Sequence, residues 1–266
     1  MSPRIAGAGQ AVFAATFVGL GLAGLITHDF AAIWQPVPKR WPARETLTVV
    51  CALVALAAGL GMFWPRMRAM AAGALAAWLA VWMLLVKAPA IVATPAMAAA
   101  WESCGETAVL VAAAWALFAG SAGGWAPLKF AAGRGGLRLA HALYGLSMIA
   151  FGVAHLAYVK ETAALVPSWL PAHAAWVYAT GLAYIGAGVA ILTGVLARLA
   201  ATLSAVQIGA FTLLVWAPAA VSGHGDADTW SETVISWALT VAAWVVADSY
   251  RGRPWLRRRT SAGPEV

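Results

Sequence analysis

The chain has 266 residues, 62% hydrophobic and only 10% charged, with a mean hydropathy of +0.79. A soluble domain would carry about a quarter charged residues and a disordered chain would be more polar still, so both are excluded and a lipid bilayer is the environment this composition requires. The net charge of +7 would elsewhere point to nucleic acid; here the basic residues sort by membrane side, and no nucleic-acid partner is read from them.

Uncharged apolar runs lie near 8–27, 46–64, 69–86, 103–121, 139–159, 174–194, 199–221 and 233–247. Each is long enough to cross or nearly cross the hydrocarbon layer as a helix, and none has the alternating polarity of a membrane barrel. The first run follows Arg4 and begins like a signal peptide, but no small-residue cleavage site follows it, so it reads as a retained helix. The expected fold is an all-α polytopic membrane protein of eight transmembrane helices.

Twelve of the 17 basic residues fall on the side that holds both termini, and the other five are Lys39, Arg40, Arg44, Lys87 and Lys160. The positive-inside tendency then makes both termini cytoplasmic, in a bacterial inner membrane. Eight of the ten acids fall on the opposite, outer side. The basic tail after Trp255 reads as an anchor for anionic lipid.

A shift of 129 positions superimposes the two halves. Val37-Pro38 falls on Val166-Pro167, Gly59 on Gly188, LLVKAPAIV (84–92) on LLVWAPAAV (213–221), and Trp101 on Trp230. Upstream the expected shift is 127, with a first outer loop two residues shorter than the second, which lays His28 on His155. The chain divides into a first four-helix repeat (1–122), a Gly-rich linker (123–136), a second repeat (137–250) and a basic tail (251–266). Four spans per repeat is an even number, so the repeats enter the bilayer in the same sense and a pseudo-two-fold axis runs along the membrane normal.

The segment GVAHLAYVKETAALVPSWLPAHAAWVYATGLAYIGAGVAILTG (152–194) resembles the DoxX-like family of small four-helix membrane proteins. The family's first helix ends in a G-x-x-H/K segment, its outer loop holds a V-P-x-x-L-P type element, and its second helix has a small-residue face. The likeness covers most of 137–221, with a weaker copy over 15–92. It implies a redox-associated membrane subunit that contacts a quinone or a haem, working with a membrane or periplasmic redox partner protein.

Several residues could carry such chemistry. His28 and His155 end the first helix of each repeat; an imidazole there can ligate a metal or haem or hydrogen-bond a quinone carbonyl, or simply answer the helix dipole. Glu102, Glu106 and Glu232 open the fourth helices beside Trp101 and Trp230. A Glu near a His at one depth could relay protons, whereas an acid in a first turn also suits the dipole and Trp suits the aromatic belt.

Pro38, Pro42, Pro167 and Pro171, with Trp41 and Trp169, read as a rigid outer cap. His173 with the loop HGDAD (224–228) reads either as a cation chelator or as a solvated acidic loop. Cys51 and Cys104, replaced by Thr180 and Thr233 in the second copy, read as small packing residues or as a dithiol. Lys87 reads as snorkelling to the outer interface. Besides the redox reading, a non-catalytic assembly partner and a small-solute carrier remain open, and no motif names a catalytic residue or a metal site.

Overall fold

The computed structural model describes residues 7–34, 37–122, 129–222 and 226–256. Eight helices are long and apolar enough to span a bilayer: α1 Ala8–Thr27, α2 Arg44–Phe63, α3 Arg68–Ala93, α4 Ala98–Ser121, α5 Gly133–Ala157, α6 His173–Thr193, α7 Ala197–Val221 and α8 Ala227–Asp248. The protein is a multi-pass helical membrane protein. Both ends of the described chain lie together, since a Cβ on Gly7 would sit 3.3 Å from Arg251 Nη1. This is the terminal end of the bundle, and the other is the distal end.

The backbone itself repeats. Ala43 and Ala172, each following a proline, hold left-handed φ values of 53° and 54° and start α2 and α6. In α3 and α7 a π-turn, Met83–Lys87 and Thr212–Trp216, immediately precedes Ala-Pro-Ala. A proline inside a helix has no N–H to give and its ring crowds the carbonyl four residues back. The π register opens the turn just before it, and the Ala88 and Ala217 N–H groups reach Met83 O and Thr212 O instead.

In lipid, helices associate through close backbone approach at small residues. A Cβ on Gly21 would lie 2.7 Å from Ala52 O and one on Gly59 2.8 Å from Ala14 O, which pins α1 to α2. In the second half, Gly152 meets Gly181 O at 2.4 Å and Gly188 meets Gly145 O at 2.5 Å by the same measure. These contacts fix the equivalence of the halves. Ala52 to Gly181 and Gly59 to Gly188 keep the shift of 129, but Gly21 to Gly152 and Ala14 to Gly145 require 131.

The upstream shift of 127 is therefore corrected. The first connection, 28–43, is the longer one, and the second is 158–172. A four-residue slip is about one helical turn, so the small-residue faces still coincide in either register, and the sequence alone could not separate them.

α4 is the central helix, with 72% of its span buried. It packs on α3 of its own half and on α5 of the other, while α8 packs on α7 and crosses back to α1 and α4. The halves thus exchange their fourth helices around the common axis. Trp237 Nε1 donates to Thr16 Oγ1 at 3.0 Å across that seam.

Candidate functional site

A cavity of about 100 Å3 lies toward the distal end where α4 of the first half enters the second. α4 contributes Glu102 and Glu106, α5 His155, α6 Tyr184, α7 Phe211 and Trp216, and α8 Glu232 and Ser236. Glu102 and Glu106 lie one turn apart and so share a face of α4. Glu232 lies in the second turn of α8 and is the electrostatic neighbour of Glu102.

The geometry of His155 sets its chemistry. Its Nδ1 lies 2.9 Å from Phe151 O. A carbonyl only accepts, so Nδ1 carries a proton and Nε2 of the neutral ring is a bare acceptor. Nε2 is buried and has no hydrogen-bond partner. Tyr184 and Phe211 hold the ring edge-on, at 5.3 and 5.6 Å between centroids. An oriented ring with one unanswered buried nitrogen is an arrangement a ligand can complete.

Lys87 does not snorkel. It is buried on the π-turn of α3, donates from Nζ to Ser103 Oγ at 2.7 Å, and has Glu106 as its electrostatic neighbour. Its equivalent in the second half, Trp216, lines the cavity. The π-turns therefore deliver a cation to one side of α4 and a ring to the other, with Glu106 between them.

The structure brings His155, Glu102, Glu106 and Glu232 together and leaves three of the expected residues out. His28 is exposed; it ends α1 in the left-handed region at φ 53° and does not line the cavity. Trp101 and Trp230 are about half exposed, and the Trp101 indole donates to Pro95 O at 2.9 Å. Tyr184, Phe211, Trp216 and Ser236 were not singled out in the sequence, where rings and a lone serine on apolar helices look like ordinary core.

The corresponding space in the first half is packed with rings. Trp82, the counterpart of Phe211, meets Phe30, Trp34 and Trp41 at 5.7, 5.4 and 5.7 Å. Trp41 thus packs inward against Trp82, whereas Trp169 is exposed.

The remaining candidates resolve simply. Cys51 and Cys104 are both free thiols. Asp226 Oδ1 accepts from Thr229 N at 2.8 Å and caps α8, and hydrogen bonding to Thr229 holds its carboxyl below the usual carboxylate range. His224 lies outside the described residues. Among the described residues no three His, Cys, Asp or Glu side chains are placed to hold a metal ion.

Residues 144–247 match a family described as a domain of unknown function, DUF8561. The match runs from the middle of α5 to the end of α8, and it includes His155, Tyr184, Trp216 and Glu232 but not the α4 carboxylates. No curated protein matches the chain. No solved structure matches it either.

Proposed function

We propose that the chain is a redox-associated membrane component that receives the head of a quinone in the cavity around His155 and handles its protons. The observation that carries this reading is the buried, unpartnered Nε2 of His155, a residue that lines a small space together with three carboxyls and aromatic rings. A quinol hydroxyl is a donor suited to that bare acceptor. Phe211, Trp216 and Tyr184 offer faces and edges to a planar ring, and Glu102, Glu106 and Glu232 can accept or return protons. Quinones supply two-electron chemistry when bound; this chain would orient the head and move its protons, and a partner redox protein would exchange the electrons.

A haem does not fit. A cavity of about 100 Å3 with one imidazole is far too small for a macrocycle and offers a single axial ligand. The resemblance to DoxX-like proteins supports the quinone reading. The excess of basic residues at the terminal end, including Arg66, Arg68, Arg198 and Arg251, supports placing both termini in the cytoplasm of a bacterium, with the cavity toward the outer face.

The test is solvent extraction of the purified protein for quinone, followed by equilibrium binding of a short-chain quinone in nanodiscs. One saturable site per chain is expected, weakened about tenfold in His155→Ala by loss of one hydrogen bond to a buried group. Absence of extracted quinone together with absence of saturable binding would sink the reading and favour an assembly role.

A further inference from the structure

Away from the His155 cavity, a groove of about 400 Å3 runs between α7 and α8 at the terminal end. Its wall includes Ala205, Thr240 and Trp244, and its mouth holds Arg198, Arg251 and Trp255. A groove at the equivalent place, about 560 Å3, lies between α3 and α4, where Ala76, Val111 and Trp115 stand 129 residues earlier. The two grooves occupy equivalent places in the repeat and differ in charge. No charged residue lines the α3/α4 groove, and the position matching Arg198 is Ala69.

We propose that the α7/α8 groove is a binding site for an anionic phospholipid, with its phosphate between Arg198 and Arg251 and an acyl chain along the wall. The Arg198 guanidinium is pre-positioned: it lies 3.9 Å over the Trp255 ring and donates one N–H to Arg253 O. A guanidinium has five donors in a rigid fork that matches a phosphate. Arg251 reaches Asp248 at 2.8 Å with its side chain 61% exposed, so the mouth presents two guanidiniums against one carboxylate. Basic pockets between spanning helices take lipid headgroups, and indoles favour that depth. A free inorganic anion would leave the apolar wall unused. The apolar α3/α4 groove accepts a chain but has nothing with which to choose a headgroup.

Native mass spectrometry of the full chain with added phosphatidylglycerol or phosphatidylcholine tests this. Preferential retention of phosphatidylglycerol is expected, falling roughly fivefold for each guanidinium removed in Arg198→Gln and Arg251→Gln. Val206→Trp, at an exposed lining position, should abolish retention with every charge intact. Ala77→Leu in the matching groove should leave the preference unchanged. Equal retention of both lipids, persistence of the preference in Val206→Trp, or its loss to excess inorganic phosphate would overturn the proposal. Should the arginine variants fail to fold, Val206→Trp decides alone.

Discussion

Gly24 and His155 occupy the same place in the two halves. A Cβ on Gly24 would stand 3.0 Å from the Ala52 Cβ, and a Cβ on Gly181 would stand 3.1 Å from the His155 Cβ. Ala52 and Gly181 are themselves equivalent. At this crossing, each half has a glycine on one helix and a larger residue on the other, and the halves have opposite choices. At this crossing the larger residue beside the glycine is a histidine in the second half and an alanine in the first, so among the described residues the crossing places a histidine in one half alone.

The unanswered Nε2 of His155 costs stability, because a buried polar atom without a partner costs about 1–3 kcal/mol. His155→Phe keeps the edge-on ring and removes that atom. Thermal unfolding in detergent should show equal or higher stability, by up to about 1 kcal/mol, while quinone binding is lost. A less stable variant that still binds would contradict the assignment.

Gly152→Ala should destabilise the α5–α6 pair. In an open helix this change stabilises by about 1 kcal/mol, but here the new Cβ would lie 2.4 Å from Gly181 O. The helices must separate, at a cost of about 1–3 kcal/mol. A lowered melting temperature is expected, and an unchanged or raised one would show that the crossing is looser than described.

Lys87 and Glu106 should be energetically coupled. Lys87→Met leaves Glu106 without its electrostatic neighbour and Ser103 without its donor, and should lower stability. Lys87→Met with Glu106→Gln should be less damaging than the sum of the single changes. Strict additivity in unfolding measurements would mean that the two do not interact.

Asp29 lies in the loop after α1 and pairs with Arg44. The Arg44 hydrogen bond is the largest cause of a carboxyl held below its ordinary range. A carboxyl with a depressed folded pKa contributes stability above its unfolded value of about 3.9 and loses it as pH falls through the folded value. The side chain is 59% exposed, so the pair is solvent-screened and worth no more than about 1 kcal/mol. Asp29→Asn should lower stability slightly at pH 7, and the difference from the parent should vanish at low pH. A gap that widens on acidification would refute the pairing.

The apolar runs, the prolines and the shift of 129 over LLVKAPAIV and LLVWAPAAV determined by themselves that the chain is eight helices in two like halves. They did so because span length and backbone satisfaction in lipid are local demands that each stretch answers alone. Only the tertiary structure decided that His155 faces a cavity while His28 does not, that Lys87 turns inward, and that the α4 carboxyls serve the other half. In a bilayer the outward face of a helix is as apolar as the inward one, so periodicity gives little signal of which side packs. Facing is set instead by where glycines such as Gly152 and Gly188 let two backbones touch.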